Sequence, residues 1–297
     1  MPVIATPLPQ RVQPDDRPEL NRFSSQAGGL IGWWPCGYHE GSIAPDLSGH
    51  AHHAIALQDS GGGSSSAPHE GKWIRDGGRR AMSFDPSVQG SSTRVAMTTS
   101  GVTPPTNATF CFLIKPTLDT TYSQIPFTLS DVPAGGSNYN LYLATHGIYS
   151  RSRMYLAWGG YVSSATDDSY MDWGEWMHIA LVRRGSAGDW TGDIYKNGAL
   201  YTTKTTTTDP PTSGGPYTLF IGGYRIGALG ANSGGEWDDV RIYNRALGAN
   251  EIAAIYWKTK GGGYGDLAAQ PTRFHHLSAA AAAVGKGSRT AMFLGVE

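Results

Sequence analysis

The 297-residue chain is poor in charged residues and contains no long apolar or basic run. Only 16% of its residues are charged, and 23 Lys and Arg against 24 Asp and Glu give a net charge of −1. Because no basic run exceeds two residues, we expect no binding to a nucleic acid backbone. No segment approaches the roughly 18 apolar residues of a membrane span. The first 26 residues also lack the pattern of a secretory signal, so we expect synthesis and retention in the cytosol.

Cysteine is rare: the chain contains two cysteines, Cys36 and Cys111. Their separation matches no zinc-binding or redox motif. A disulfide between them and two separate buried thiols both fit the sequence. The second interpretation is favoured because free cysteine is commonly buried.

Glycine, proline and aromatic residues are plentiful, with 40 Gly, 18 Pro and nine Trp. This composition favours short strands joined by Gly-rich turns over helical bundles or alternating strands and helices. Between Gly29 and Tyr243 the pattern predicts about a dozen strands. We expect an all-β fold in which two antiparallel sheets pack as a jelly-roll sandwich.

Three local patterns are the clearest. Residues 177–182 alternate as a strand with two apolar faces. Asn197 and Gly198 form the preferred pair for a type I′ hairpin turn. Residues 249–258 predict a short closing helix with Gly248 as its N-cap.

The flanks of this domain have a different composition. Residues 1–28 form a Pro-rich N-terminal arm, residues 29–257 the jelly roll, and residues 258–297 a Gly/Ala-rich C-terminal arm. Neither arm has the apolar residues for a core of its own. Ordering either arm therefore requires contacts with the jelly roll or with neighbouring subunits.

Four segments, in this order along the chain, resemble the laminin-G-like, concanavalin A-like jelly-roll domains. They are GLIGWWPCGYHEGSIAPDLSGHAHHAI, ATFCFLIKPT, GEWMHIALVRR with GDIYKNGALY, and GGEWDDVRIYNRALGANEIAAIY. The resemblance implies the fold but no single function, because lectins, hydrolases and adhesive modules share it. The segment RPELNRFSSQAGGLIGWWP also resembles the entry to such domains in structural proteins of tailed phages.

The acidic stretch at Glu236, Asp238 and Asp239 is the strongest candidate for catalysis. Glu236-Trp237-Asp238 begins the acidic motif of the retaining glucanases that share the resembled fold. The third acid of that motif is missing, because Val240 and Arg241 occupy its positions. We therefore expect a non-enzymatic protein.

The resemblance also implies a structural Ca²⁺ site. Asp46 and Asp238 match positions that hold calcium in such domains, and backbone oxygens near Gly32 would complete the shell. The alternative is that Asp46 forms an Asx turn with Ser48 or Gly49, while Asp238 pairs with Arg241 or Arg245.

Histidines and aromatic residues allow two interpretations each. His50 and His52 share one face of an extended segment, but two ligands rarely suffice for a transition metal. We expect hydrogen-bonded, partly buried roles for His53 and His178. Three aromatic residues are candidates for stacking against a sugar, although core packing is the more common role of such side chains. They are Tyr142, Trp158 and Tyr224.

These observations together predict a virion structural protein, a capsid decoration or other accessory surface protein assembled in the host cytoplasm. Both arms would anchor it to the major capsid protein or other virion subunits, and the jelly roll would face host or environmental glycans. We expect a homo-oligomer with no nucleic acid or membrane partner. The alternatives are a free-standing bacterial lectin or carbohydrate-binding module and, less favoured, a glycoside hydrolase.

Overall fold

Within the residues that the structure describes, β-strands are followed by one α-helix. The computed structural model describes residues 18–36, 43–60, 72–76, 79–84, 93–103, 106–117, 124–130, 139–146, 153–157, 161–164, 172–209, 217–226, 229–232, 235–260, 264 and 267. The strands are β1 (Leu30–Trp34), β2 (Ile43–Ala44), β3 (Ala54–Ser60), β4 (Lys72–Asp76), β5 (Arg79–Phe84), β6 (Thr93–Val102), β7 (Ala108–Pro116), β8 (Gln124–Ser130), β9 (Tyr139–His146), β10 (Arg153–Ala157), β11 (Tyr161–Ser164), β12 (Met177–Ser186), β13 (Asp189–Lys196), β14 (Ala199–Thr206), β15 (Tyr217–Ile221), β16 (Gly223–Ile226), β17 (Leu229–Asn232) and β18 (Gly235–Tyr243). A 3₁₀ turn (Ser25–Ala27) precedes them, and helix α1 (Ala249–Thr259) follows.

Two large antiparallel sheets form the sandwich. The first sheet has the order β14-β13-β12-β7-β18-β5-β4, with β1 also paired to β18. The second sheet has the order β11-β10-β9-β8-β15-β6-β3-β2, and β16 pairs with β17 as a separate hairpin. The predicted all-β jelly-roll sandwich with a short closing helix is therefore confirmed.

The main core lies between the sheets and is rich in aromatic rings. Phe112 and Phe127 stack at a centroid distance of 5.7 Å, and Phe112 also lies 5.0 Å from Trp237. The alternation predicted for β12 places Met177 and Ile179 in this core. Burial of these side chains supplies most of the free energy that holds the two sheets together.

Part of the outer face of the first sheet is also buried, beneath α1 and the chain segments on either side of the domain. Ala180 and Val182 of β12 pack there with Ile252 and Ile255 of the helix. Segments beyond the predicted domain limits contribute as well, because Leu20, Ala27, Tyr264 and Leu267 join the same cluster. The backbone N–H of Asn21 donates to the carbonyl of Leu267 at 2.8 Å and so links the two segments. Residues 1–17, 261–263, 265–266 and 268–297, the remainder of the predicted arms, lie outside the described residues.

The local predictions hold at the hairpin and the helix. Asn197 and Gly198 join β13 to β14 with φ angles of 52° and 80°, as a type I′ turn requires. Gly248 precedes α1, and its N–H donates to the Glu251 carboxylate at 2.9 Å. No helix in the described part of the chain is long and apolar enough to cross a membrane.

Both cysteines are buried and unpaired. Cys36 packs in the core between the sheets, whereas Cys111 packs on the outer face of the first sheet. The first sheet therefore separates the two thiols. The expectation of two separate buried cysteines is confirmed.

Candidate functional site

A β-bulge shapes the acidic stretch of β18. Asp238 pairs with Leu113 of β7, but Arg241 pairs with Cys111, so two residues of β18 oppose one of β7. Asp239 occupies the bulge with a left-handed φ of 51°, and its N–H donates to Asp238 Oδ1 at 2.8 Å. The bulge interrupts the alternation of the strand. As a result, Asp238, Asp239 and Arg241 all bond to groups that cover the outer face of the sheet.

These residues and Arg79 form two buried ion pairs, which we call the buried clasp (Arg79, Asp238, Asp239 and Arg241). Arg79 Nη1 lies 2.8 Å from Asp238 Oδ2. Arg241 binds Asp239 through two hydrogen bonds, of 2.8 Å to Oδ1 and 2.6 Å to Oδ2. All four side chains are almost completely inaccessible to solvent. Charges at this depth require partners, because a single buried charge costs several kcal/mol.

The buried clasp binds the segments that cover the sheet. Arg241 donates to the Gln26 side chain and to the backbone carbonyl of Tyr264, each at 3.0 Å. Arg79 donates to the carbonyl of Thr259 at the end of α1, at 2.6 Å. The indole N–H of Trp33 donates to Asp239 at 3.0 Å. Segments that precede, form and follow the sandwich thus all bond to the buried clasp. The clasp therefore has a structural role, because it holds these segments together.

Burial shifts the pKa values of the charged residues in the buried clasp. Burial and the adjacent Asp239 raise the pKa of Asp238 to about 7, against the lowering effect of Arg79. Burial acts to lower the pKa of Arg241, but Asp239 outweighs it and the pKa is raised. The predicted alternative, in which Asp238 pairs with Arg241 or Arg245, is wrong. Arg79 takes that place because the pairing of β5 beside β18 brings a residue 159 positions away into contact.

Glu236 belongs to a different, partly exposed group on the outer face of the first sheet. We call this group the Trp176 cluster (Asp76, Lys115, Trp176 and Glu236). Asp76 Oδ2 accepts from Lys115 Nζ at 2.8 Å and from the Trp176 indole N–H at 2.9 Å. Lys115 Nζ also lies 3.6 Å from Glu236. The ionic side chains keep between 21% and 34% of their surface exposed.

The two carboxyls of the Trp176 cluster differ in acidity. The hydrogen bond from Lys115, and next that from Trp176, lower the pKa of Asp76. Partial burial raises the pKa of Glu236, and the Lys115 ammonium only partly opposes this. One carboxyl therefore stays ionised while its neighbour takes up a proton more readily. Such a pair can accept hydrogen bonds from hydroxyls and can exchange protons.

Sequence reasoning identified Glu236 but missed Asp76 and Lys115 as its neighbours. These residues are far apart in the chain, and only the pairing of β18 with β7 sets Glu236 opposite Lys115. Trp176, the aromatic member of the cluster, is half-buried. At the two positions where the glucanase motif would place its third acid, Val240 packs in the main core and Arg241 belongs to the buried clasp.

The predicted calcium ligand Asp46 is fully engaged with protein donors. Its Oδ1 accepts from the backbone N–H groups of Trp33 at 2.9 Å and Ser48 at 2.8 Å. Its Oδ2 accepts from the Ser48 hydroxyl at 2.9 Å and from the N–H of His52 at 3.0 Å. This is the Asx turn of the alternative interpretation, extended to β1.

The other two predicted ligands have equally specific environments. Asp238 accepts from Arg79, and Gly32 pairs with Ile242 in the ladder between β1 and β18. A Cβ at Gly32 would overlap the Trp34 ring, so the absence of a side chain lets the indole cover this position. Among the described residues no group of three His, Cys, Asp or Glu could hold a metal. The donor set does not fit a Ca²⁺ cage, and calcium binding stays a prediction.

The histidines match the expectations in part. His53 accepts from the backbone N–H of Asp46 at 3.1 Å, but its side chain is exposed. The rings of His50 and His52 lie side by side, as predicted, with centroids 6.2 Å apart. His178 is buried beneath α1, and neither ring nitrogen has a partner among the described residues. Burial lowers its pKa to about 4.

Two of the three predicted sugar-stacking residues lie in described strands of different sheets. Tyr142 of β9 pairs with Thr128 of β8 in the second sheet. Tyr224 pairs with Ala231 in the β16–β17 hairpin. Trp158 lies outside the described residues, and the role of all three in sugar binding stays a prediction.

Comparisons with known proteins agree with this architecture. A family model described as Concanavalin A-like lectin/glucanases superfamily matches residues 89–253. Domain 4 of AbnA, a GH43 extracellular arabinanase from Geobacillus stearothermophilus solved in complex with arabinotriose, is similar with a TM-score of 0.52 at 14% identity. The match covers 75% of this chain and 96% of that domain. A search of curated proteins found no match.

The Trypanosoma rangeli sialidase solved in complex with sialic acid is similar as well, with a TM-score of 0.53 at 14% identity. The match covers 79% of this chain but 34% of the sialidase, so this chain spans about a third of that protein. At such identities these likenesses establish the fold alone.

These neighbours correct one prediction made from the sequence. The expectation of a non-enzymatic protein is wrong, because the same fold occurs in structures of an arabinanase and a sialidase. The absence of one glucanase motif therefore does not separate this chain from glycoside hydrolases. The resemblance to the laminin-G-like domains is confirmed. Since the family model covers more than half of its length, the chain belongs to the Concanavalin A-like lectin/glucanases superfamily.

Proposed function

We propose that this chain binds carbohydrate and that the Trp176 cluster is its binding site. The observation that carries the proposal is the meeting of a half-buried indole with two carboxyls and an ammonium on one face of the sheet. Sugars pack their C–H faces against aromatic rings and bond their hydroxyls to charged groups beside them. The cluster supplies both kinds of contact.

The geometry of the cluster also favours binding because its aromatic ring is held in place. The indole N–H of Trp176 is bound to Asp76, and the Arg79 guanidinium lies 5.3 Å from the ring centre. A ring fixed in this way loses little conformational freedom when a ligand binds. Further support comes from the arabinanase domain with the same fold, which was solved with arabinotriose.

The test is binding of oligosaccharides to the purified chain. Titration calorimetry with arabino-oligosaccharides and sialylated oligosaccharides should detect a saturable site. We expect Trp176→Ala to weaken binding at least about tenfold, because it removes the stacking surface. Asp76→Asn should weaken binding less, because Asn retains one acceptor.

A matched control exists at the opposite edge of the first sheet. Asp209 accepts from the indole N–H of Trp190 at 2.7 Å, so it repeats the Trp–Asp contact away from Lys115 and Glu236. Asp209→Asn should leave sugar binding unchanged. Equal effects of Asp76→Asn and Asp209→Asn would contradict the proposed site.

Strand β9 of the second sheet, which contains Tyr142, is the alternative place for a sugar, as the sequence suggested. Tyr142→Ala separates the two locations. Loss of binding in Tyr142→Ala but not in Trp176→Ala would move the site to the second sheet.

Glycoside hydrolysis is a second candidate function, favoured by the opposite pKa shifts of Asp76 and Glu236. A proton donor and an ionised carboxylate are the groups that such a reaction needs. If the chain cleaves an oligosaccharide that it binds, Glu236→Gln should abolish product formation. The control is Glu175→Gln at an exposed position. Binding without any product would reject this second candidate.

We also propose that the protein binds carbohydrate as part of a virion. The terminal arms would attach the domain to the capsid or to other subunits, and copies of the chain would associate with one another. The sequence supports this through two arms that have no core of their own. The structure defines the limits of the deletions that test this placement. Gln26 and Tyr264 bond to Arg241 of the buried clasp, so the deletions must leave both residues in place. Deleting residues 1–17 or 268–297 should abolish incorporation into particles while sugar binding remains. Unchanged incorporation of both deletions would reject the placement.

A further inference from the structure

The charges of the Trp176 cluster do not balance, which bears on the class of sugar that the cluster would bind. Asp76 and Glu236 contribute two carboxyls, and Lys115 contributes the one ammonium. That ammonium is already engaged, because it lies 2.8 Å from Asp76 and 3.6 Å from Glu236. The cluster therefore presents an excess of acid to a ligand and holds its own cation in ion pairs.

The guanidinium beside the cluster is committed to the fold. Arg79 lies 5.3 Å from the centre of the Trp176 ring, yet it is 5% exposed. Its Nη1 donates to Asp238 at 2.8 Å, and its Nη2 donates to the carbonyl of Thr259 at 2.6 Å. A ligand carboxylate is best bound by a guanidinium that directs two parallel N–H groups at it. Burial and these two bonds keep Arg79 from that role.

The hydrogen-bonding groups of the cluster are mainly acceptors. The indole N–H of Trp176 is used by Asp76 at 2.9 Å. Ionised carboxylates accept hydrogen bonds and donate none, so they suit a hydroxyl or an amine of the ligand. Burial raises the pKa of Glu236, Lys115 opposes this shift and Asp76 adds to it. The two carboxyls thus already disfavour each other's charge, and a third carboxylate beside them would be repelled.

We infer that the Trp176 cluster selects saccharides without acidic groups over sugars that carry a carboxylate, an inference that rests on the proposed function of the cluster. Hydroxyls of the sugar donate to Asp76 and Glu236, and a C–H face packs against Trp176. A carboxylate in the same place meets two carboxyls and an ammonium that is already paired. Among the ligands of the similar structures, arabinotriose fits this chemistry and sialic acid does not.

Calorimetry with matched sets of short oligosaccharides tests the inference. One set consists of oligomers of galactose, galactosamine and galacturonic acid, and the other of glucose, glucosamine and glucuronic acid. The acidic oligomers should bind at least about tenfold more weakly than the neutral ones, and the amine-bearing oligomers at least as tightly as the neutral ones. Salt at about 0.5 M should narrow these differences, because it screens partly exposed charges.

Glu236→Gln identifies the source of the selection, because it removes one charge and keeps the shape of the side chain. The acidic oligomers should gain at least about threefold in affinity relative to the neutral ones. Asp209→Asn is the matched control, since it removes the same charge at the opposite edge of the first sheet and should leave the ratio of affinities unchanged.

The outcomes separate this inference from the proposed function. An acidic oligomer that binds the wild type as tightly as its neutral counterpart would overturn the inference while sugar binding itself stands. Equal changes of the ratio in Glu236→Gln and Asp209→Asn would also overturn it, because the selection would then come from the net charge of the protein. Failure of every oligosaccharide to bind would instead contradict the proposed function.

Discussion

Two charged groups lie on the outer face of the first sheet, and β18 contributes to both. The buried clasp is covered by α1 and the flanking segments, and its carboxylates accept from protein donors. The Trp176 cluster, which includes Glu236 two positions before Asp238, keeps part of its surface exposed. The same residue types therefore have different roles. The buried charges hold the fold together, and the partly exposed ones remain available to a ligand.

The difference comes from coverage rather than from local sequence. Charges that are removed from water are stable only with partners of good geometry, and breaking such a pair leaves an uncompensated buried charge. Charges that keep contact with water lose little when a partner is removed, because the solvent replaces it. Stability measurements should therefore respond strongly to the buried clasp and weakly to the Trp176 cluster.

Arg241→Met should produce the largest effect. It leaves Asp239 buried without its cation, and we expect a loss of about 3–5 kcal/mol in the free energy of unfolding. Urea denaturation measures this loss. The double variant Asp239→Asn, Arg241→Met should regain part of it, since it removes both charges. An Arg241→Met variant as stable as the wild type would show that the buried clasp does not hold the fold.

The pH dependence of stability should reveal two buried groups with opposite effects. Asp238 has a pKa of about 7 in the fold against an ordinary value of 3.8, so the folded state binds the additional proton and stability falls as pH rises from about 4 to 7. His178 has a pKa of about 4 against 6.5, so the unfolded state binds the proton and stability falls as pH drops from 6.5 to 4.

Single variants separate these two effects. His178→Phe removes the titration of His178, which changes the free energy of unfolding by on the order of 3 kcal/mol. Asp238 then dominates the profile, so the stability of this variant should fall as pH rises. Asp238→Asn should produce the reverse slope. Thermal unfolding at a series of pH values measures both. Two parallel profiles would contradict the assignment of these groups.

Lys115→Met should have a small effect on stability and a larger one on ligand binding. Its ion pairs are partly exposed, so we expect a loss of no more than about 1 kcal/mol in the free energy of unfolding. Sugar binding should weaken, because the ammonium holds Asp76 in place. A loss as large as that of Arg241→Met would remove the distinction between the two groups.

The smallest effect is expected from removal of calcium. Because Asp46 and Asp238 accept from protein donors, EDTA should leave the Tm unchanged. A Tm that falls in EDTA and recovers with added Ca²⁺ would establish the predicted ion and require these carboxylates to rearrange.

The strands predicted best were those with strong apolar alternation, such as β7 and β12, and the structure places their opposite faces in two separate cores. The Thr- and Ser-rich β6 and the short β2 and β4 were missed, because their pairing depends on neighbouring strands more than on their own pattern. For the candidate site, Glu236 was recognised as an unusual acid, but its partners were not.

The sequence by itself determined the fold class, the hairpin at Asn197 and Gly198, the closing helix and the missing catalytic acid. Each follows from residues that are neighbours in the chain, where turn geometry and side-chain periodicity act directly. Only the tertiary structure decided that Arg79 faces Asp238, that Lys115 faces Glu236, and that Gln26 bonds to Arg241. Those contacts depend on strand register, on the bulge at Asp239 and on segments that return to cover the sheet, and no local pattern specifies them.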